Sequence, residues 1–334
     1  MMLVTGISSP PSAPITVLTR RHFTLYGAAA LWQPPTFRSQ VPLVVVPVSV
    51  TTKAGEPVDG LIASDFRLLD SGVARRFELD MERQPLSLVV AIETGEDSKP
   101  SLERIRHAGS LIEPLILGTR GEAALLAFDS RVLPIEDFSR DAARIRDRLL
   151  TLRLGNTGCA LNDALLAASQ MLAARDTARR RVVLVISEAK DRSSKTSITD
   201  LATELQRNNV CVYAVTYSRF ITAWTQKNEQ APPPGTGQTV DLLAFFSVLK
   251  QVGQSSSTTP LAELTGGRTF HFVRQGALEQ ALTRIGEDLH SQYVLSFQPE
   301  GVAAGEFHSI RVEVPTHPSA QVRHRAGYWL PGLA

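Results

Sequence analysis

Two uninterrupted apolar segments dominate this sequence, and each of them ends on a carboxylate. Leu88–Ile92 runs into Glu93, and Val182–Ile186 runs through Ser187 into Glu188. A strand that is apolar at every position is buried on both faces, which is typical of the parallel sheets of α/β proteins. Ligands of such sheets bind beyond the carboxyl ends of the strands. The two segments therefore predict a ligand face at one edge of a parallel sheet.

Segments with helical spacing of their apolar residues alternate with such strands between residues 86 and 291. The alternation predicts an α/β fold with a doubly wound, mostly parallel sheet of Rossmann-like type. A Pro- and Gly-rich insertion at 218–258 interrupts the rhythm, and Asp241–Val252 within it predicts one short apolar helix. The other predicted helices are Leu102–Leu117, Asp141–Leu149, Ala160–Ala174, Ile198–Asn208 and Ala277–Leu289.

Both flanks of this region have strand-type patterns. Residues 41–85 contain a hairpin signal at Asp70-Ser71-Gly72, with glycine where a positive φ is needed, and residues 292–330 contain three more strand-like segments. Neither flank has enough strands to bury a sheet face by itself. We therefore predict that 41–85 and 292–330 together form one small, discontinuous β-sandwich. Pro42 and Pro47 predict that the first strand lies at an edge or at a bulge.

Composition excludes several classes of protein. The chain has 35 Lys and Arg against 33 Asp and Glu, so its net charge of +2 gives no basis for nucleic-acid binding. Its two cysteines, Cys159 and Cys211, are too few for a disulfide framework or a Cys-rich zinc site, and we predict two free thiols. No apolar run approaches the roughly 20 residues that a membrane span requires.

Residues 1–40 have the character of a leader. Arg20-Arg21 precedes a short, weakly hydrophobic segment of small residues, which is the pattern of a twin-arginine export signal. We expect the protein to be exported to the periplasm or the cell exterior. The alternative is a disordered leader on a cytoplasmic protein.

Three motifs resemble those of the von Willebrand factor type A (vWA) domain: the acidic loop after the first strand, the helix start Thr157–Ala164, and the strand end Ile186–Asp191. The flanking segments Val58–Gly72 and Phe307–Val314 are similar to those of the vWA-related proteins common in Acidobacteria. The resemblance extends from about residue 41 to residue 329. It implies a vWA domain at 86–291 that is bracketed by β segments and serves as a non-enzymatic, adhesion-type module.

In the vWA family a metal-ion-dependent adhesion site (MIDAS) is built from Asp-x-Ser-x-Ser, a Thr and an Asp, and a carboxylate of the partner completes the shell of the Mg²⁺ ion. Every one of these positions is changed in the present chain. Gly95 supplies no side-chain ligand, and the thiol of Cys159 is too soft for Mg²⁺. In the order of the motif, the matching residues are Glu93, Gly95, Asp97, Cys159 and Glu188.

Two hypotheses follow for this site. It is either a remodelled site in which Glu93, Asp97 and Glu188 hold Ca²⁺ or Mg²⁺, or a degenerate site whose carboxylates are solvated or paired with Arg or Lys190. The loss of both hydroxyls together with the Thr favours the degenerate site, with no cofactor. The predicted function is binding of a protein partner at this face. The alternatives are a hydrolase or transferase that uses the carboxylate cluster, and a purely structural envelope protein.

Overall fold

The computed structural model describes residues 43–80, 84–108, 112, 120–188, 190–217, 258–272, 275–301 and 305–330. The predicted leader, Pro42 and the helix predicted at Asp241–Val252 lie outside these ranges. In chain order the strands are β1 (Val44–Thr51), β2 (Arg67–Asp70), β3 (Val73–Arg75), β4 (Glu78–Asp80), β5 (Leu86–Glu93), β6 (Glu122–Phe128), β7 (Val132–Ser139), β8 (Arg180–Ser187), β9 (Val210–Tyr217), β10 (Thr269–Phe272), β11 (Tyr293–Phe297), β12 (Phe307–Glu313), β13 (Gln321–His324) and β14 (Gly327–Trp329). The helices are α1 (Lys99–Ala108), α2 (Ala142–Leu150), α3 (Leu161–Ala173), α4 (Ile198–Arg207), α5 (Thr258–Thr265) and α6 (Gln275–Ser291).

A six-stranded sheet forms the centre of the α/β region, in the order β10-β9-β8-β5-β6-β7. All neighbouring strands are parallel except β7, which runs antiparallel to β6 at the edge. β5 and β8, the two apolar segments that end on carboxylates, are direct neighbours, with Leu88 opposite Val182 and Ile92 opposite Ile186. This pairing brings their carboxyl ends together at one edge of the sheet.

Helices cover both faces of this sheet, which explains the absence of polar alternation in its central strands. Every residue of β5 is buried, and its side chains alternate between two cores. Leu88 and Val90 pack with α1, α2 and α6 on one face, whereas Val89 and Ala91 pack with α3, α4 and α5 on the other. Because both faces are dry, a polar residue at any of these positions would lose its hydration without compensation.

The flanking strands form two four-stranded antiparallel sheets, β13-β1-β11-β4 and β14-β12-β2-β3. Each sheet combines strands from before and after the α/β region, and the two share one apolar core that includes Val46, Val48, Leu68, Leu295 and Ile310. The predicted fold class is confirmed: a doubly wound, mostly parallel sheet is inserted in a small β-sandwich.

The chain crosses twice between the sandwich and the α/β region. It leaves β4 at Asp80 to begin β5 at Leu86, and it returns from α6 at Ser291 to begin β11 at Tyr293. The two crossings are adjacent, because β4 and β11 are paired with Asp80 opposite Val294. Both lie at the amino-terminal edge of the central sheet.

The prediction that β1 lies at an edge or at a bulge is wrong, since β1 pairs with both β11 and β13 and its register with β11 is continuous through Pro47. The β13 pairing, however, covers only Val48–Thr51, so at Pro47 the strand has a partner on one side only. A missing N–H group is tolerated there. The hairpin turn has positive φ at Ser71 (49°) and Gly72 (85°), as its sequence requires.

The helices and strands of the α/β region otherwise lie close to their predicted bounds. α1 begins earlier than predicted, at Lys99. No helix among the described residues is long and apolar enough to cross a membrane.

Candidate functional site

Three loops meet beyond the carboxyl ends of the central strands, and two glycines allow their close approach. The loop after β5 contains Gly95, where a Cβ atom would lie 2.7 Å from the carbonyl oxygen of Gly158 in the loop before α3. Gly158 has φ +118°, and a Cβ atom there would lie 2.7 Å from the Ser193 hydroxyl of the loop after β8. Both positions exclude larger residues, so the three loops pack as one unit.

The Glu93 carboxylate lies at the centre of this unit and is only 1% exposed. Its Oε2 atom accepts the Glu188 N–H at 2.7 Å and the Tyr217 hydroxyl at 3.2 Å. The thiol of Cys159 also hydrogen-bonds to it. Burial, together with the negative charge of Glu188, raises the pKa of Glu93 in spite of these three hydrogen bonds. The glutamate therefore spans from the end of β5 to the ends of β8 and β9.

Glu188 is engaged by a cation. The Arg192 guanidinium, four residues further along, lies 2.7 Å from Glu188 Oε2, and the side chains of the two residues are 36% and 5% exposed, respectively. The Arg192 and Ser193 N–H groups donate to the carbonyl oxygen of Cys159 at 2.9 and 3.1 Å. The loop after β8 is thus fixed to the start of α3, with a positive charge at its outer side.

Cys159, which the sequence resemblance matches to the MIDAS threonine, is fully buried. Burial raises the pKa of its thiol far above the ordinary value, and the charges of Glu93 and Asp191 raise it further. The residue is therefore a neutral thiol at physiological pH. A neutral, inaccessible thiol is neither a nucleophile nor a metal ligand.

The start of α3 is capped by the loop after β8 instead of by its own N-cap residue, Ala160. Asp191 accepts the Leu161 N–H at 3.1 Å, and the Ser194 hydroxyl accepts the Asp163 N–H at 3.0 Å. Side-chain oxygens in these positions satisfy amide groups that a helix leaves unpaired. Asp191 is thus used structurally.

Asp129, which follows β6, is a second buried carboxylate of the same edge. It accepts the Asn156 and Arg131 N–H groups at 2.7 Å each. Burial alone would raise its pKa, but these hydrogen bonds outweigh burial and lower it. The carboxylate stabilises the loop before α3 and is not directed to solvent.

The exposed rim of the face is polar and includes both acidic and basic side chains. The Thr157 hydroxyl donates to Glu96 Oε2 at 2.9 Å, which links the loop before α3 to the loop after β5. The exposed rim residues are Glu96, Asn156, Thr157, Lys190 and Arg192. A mixed rim around a closely packed centre is suited to contact with a polar surface.

The structure brings Glu93, Cys159 and Glu188 together and places Gly95 at the contact between two loops. Asp97 lies in the short 3₁₀ turn Glu96–Ser98, and its side chain is outside the described atoms. Two further residues of the site, Tyr217 and Arg192, were not predicted from the sequence. Two signals could have identified them: Arg192 lies four residues after Glu188, and Tyr217 lies at the end of the neighbouring strand.

The side chains that the structure describes at this face do not fit a hard divalent cation. The Glu93 carboxylate is directed to the Glu188 N–H and the Tyr217 hydroxyl, while Glu188 is paired with Arg192. Mg²⁺ and Ca²⁺ require several oxygen ligands around one point. Among the described residues, no group of three or more His, Cys, Asp or Glu side chains is arranged to hold a metal ion.

No protein-family model matches the sequence, and no curated protein matches it. Solved structures with a similar chain path include an aerotolerance-related membrane protein from Bacteroides fragilis (12% identity, 61% of this chain and 98% of that chain, TM-score 0.44). A second is the pilus adhesin SpaC from Lactobacillus rhamnosus GG in its open conformation (8% identity, 80% and 46%, TM-score 0.41). A third is proximal thread matrix protein 1 from the mussel byssus with a zinc-occupied MIDAS motif (10% identity, 67% and 50%, TM-score 0.44). None of the three, at these identities, says what the present chain binds.

Proposed function

We propose that this protein is an exported, non-enzymatic, adhesion-type module that binds a protein partner through the loops beyond the carboxyl ends of its central sheet. We further propose that this binding is independent of metal, because the MIDAS-like site is degenerate. The observation that carries the proposal is the direction of the Glu93 carboxylate, which bonds to the Glu188 N–H at 2.7 Å. In a metal site that carboxylate would be available to the ion.

The partner surface that fits this face is polar. Arg192, at the outer side of the Glu188 ion pair, supplies a fixed positive charge, and Glu96 with Thr157 supplies acceptors nearby. Such groups give orientation and specificity more than affinity. We infer that the partner presents at least one acidic side chain to Arg192.

An enzymatic role for the carboxylate cluster is less well supported by the geometry. Catalysis by general acid or base requires the group to reach the proton that it transfers. Glu93 is 1% exposed and Cys159 is fully buried, so a substrate outside the protein contacts neither group. A purely structural envelope protein would have no specific partner at this face. The cross-linking experiment below distinguishes that alternative from the proposed binding function.

Site-specific cross-linking tests the binding face. A photoreactive amino acid at the exposed Thr157 is compared with one at the exposed Ala178, at the opposite edge of the sheet. In an envelope extract of the source cells, containing EDTA, we expect a discrete adduct from position 157 that Arg192→Glu abolishes. No adduct from either position would support a structural role, and equal adducts from both would contradict the proposed face.

Calorimetry tests independence of metal. Mg²⁺, Ca²⁺ and Mn²⁺ are titrated separately into the wild-type protein and into Glu188→Ala. We expect no saturable heat for either protein. A saturable heat with the wild type that is lost in the variant would establish the remodelled cation site instead.

A further inference from the structure

A small cavity lies at the amino-terminal edge of the central sheet, opposite the candidate functional site. Its lining includes Arg180 and Arg181 at the start of β8, Cys211 near the start of β9, and Arg325 between β13 and β14. Its volume is about 30 Å³. A cavity needs roughly 10–15 Å³ to hold one water molecule, so this one has room for about two waters or one small ion. We call it the arginine cavity.

Three guanidinium groups of this cavity hydrogen-bond to neutral oxygens only. The acceptors are backbone carbonyls and side-chain amides of the surrounding loops and helix ends. Arg180 donates to the Leu289 carbonyl and the Gln292 side chain, Arg181 to the Ala173, Arg175 and Asn208 carbonyls, and Arg325 to the Gly327 and Gln206 carbonyls and to the Asn209 and Gln206 side chains. Among the described residues, no carboxylate forms an ion pair with any of the three.

Neighbouring arginines show the ordinary arrangement. Arg175 and Arg179, the second of which also lines the cavity, lie 2.8 and 3.2 Å from the buried Glu122 carboxylate, so that each has an ion-pair partner. In Arg180 and Arg181, by contrast, the Nε–H group is buried and has no acceptor in the described part of the chain. Buried donors without an acceptor are rare in folded proteins, and each one calls for an explanation such as a bound ion.

The electrostatic balance at the cavity favours an anion. Arg181, Arg325 and Arg180 lie at the carboxyl ends of α3, α4 and α6, where each helix presents roughly half a negative charge. Three such ends offset only part of the charge of three guanidinium groups. The carboxylates that act on them do so from beyond ion-pair distance: Asp288, which is paired with Arg323, acts on Arg180, and Asp176 acts on Arg181. Arg325 is 5% exposed, and burial without a counter-charge lowers its pKa to about 10, so that it stays protonated at neutral pH. The cavity therefore retains an excess of positive charge.

We propose that the arginine cavity binds a small inorganic oxyanion of the phosphate or sulfate class. The Nε–H groups of Arg180 and Arg181 donate to its oxygens, and Arg325 contributes charge. Charge-assisted hydrogen bonds of this kind are about twice as strong as neutral ones. The site is independent of the proposed binding face, since it lies at the other end of the strands.

The test is titration of inorganic phosphate into the 334-residue chain at constant ionic strength, followed by calorimetry and by thermal unfolding. We expect saturable binding to the wild type and a rise in Tm that an equal ionic strength of chloride does not reproduce. Arg181→Lys keeps the charge but removes the Nε–H geometry, and we expect binding to weaken about tenfold or more. Arg180→Lys should have a similar effect.

Arg175→Lys is the matched control, because Arg175 lies on the same segment but pairs with Glu122 and does not line the cavity. It should bind phosphate as the wild type does. Absence of saturable binding to the wild type would overturn the proposal, and this measurement does not depend on any variant folding. Equal binding by the wild type and Arg181→Lys would also overturn it, and would leave the arginines as links between helix ends.

Discussion

Truncation of Glu93 tests whether its carboxylate serves the fold or awaits a cation. In Glu93→Ala the Glu188 N–H and the Tyr217 hydroxyl, which now bond to Glu93 Oε2 at 2.7 and 3.2 Å, lose their acceptor. Each buried group left unsatisfied costs about 1–3 kcal/mol. Allowing for partial relaxation and water entry, we expect the free energy of unfolding to fall by about 2–5 kcal/mol.

Glu93→Gln separates the acceptor from the charge. The amide has the same shape and keeps one oxygen for these donors, while it removes the charged form that burial disfavours. Its free energy of unfolding should lie within about 1 kcal/mol of the wild-type value, or above it. Urea denaturation of the three proteins at pH 7 measures these differences, in EDTA and again in millimolar Mg²⁺ or Ca²⁺.

Two results would refute this reasoning. One is a loss of stability in Glu93→Gln as large as in Glu93→Ala, since the negative charge would then be required. The other is stabilisation of the wild type, but not of Glu93→Gln, by a divalent cation. Either result would favour the remodelled metal site over the degenerate one.

Three further predictions concern pH and packing. Burial lowers the pKa of His324, whose ring accepts the Val312 N–H at 3.1 Å. The contribution of His324 to stability is therefore complete above about pH 6.5 and decreases as the pH falls below that value. A pH series of urea melts should show this decrease relative to His324→Gln. Burial would raise the pKa of Glu122, but the hydrogen bonds from Arg175 and Ser87 and the charges of Arg179 and Arg175 together lower it. Glu122→Gln should therefore cost about 1–3 kcal/mol at pH 7, and urea melts should show this difference decreasing as the pH falls below about 4.5, where the glutamate is protonated first in the unfolded chain. Gly95→Val would place Cβ 2.7 Å from a backbone oxygen of the facing loop, and thermal unfolding should show a loss of about 1–3 kcal/mol together with loss of the cross-linked adduct.

The sequence was a good guide to the fold wherever burial alone decides the pattern. Leu86–Glu93 and Arg180–Ser187 are buried strands with helices on both sides, and their apolar runs are sufficient to predict this. The position of β1 was not predictable from Pro47, because the tolerance of a proline depends on how far the neighbouring strand extends. Val73–Arg75 and Glu78–Asp80 are separated by only two residues, yet they belong to different sheets. Local pattern carries no information on which sheet a short segment joins.

The candidate site was predictable in its location but not in its contacts. Glu93 and Glu188 could be placed at one edge because parallel neighbours end together. The direction of the Glu93 side chain depends on the one extra methylene of Glu relative to Asp, which lets the carboxylate reach the backbone of β8. The hydrogen bond from Tyr217 depends on β9 lying beside β8, which is a property of the strand order. Such contacts follow from tertiary geometry and have no signature in sequence spacing.

The paired crossings between the sandwich and the α/β region have a mechanical consequence. The proposed adhesion module holds a partner at one edge of its sheet, so a force on that partner would pass through the sheet to the sandwich at the opposite edge. Here tension divides between two covalent connections, which leave the sandwich from strands that are hydrogen-bonded to each other, with Asp80 opposite Val294. Such a load would be shared by two backbones in parallel.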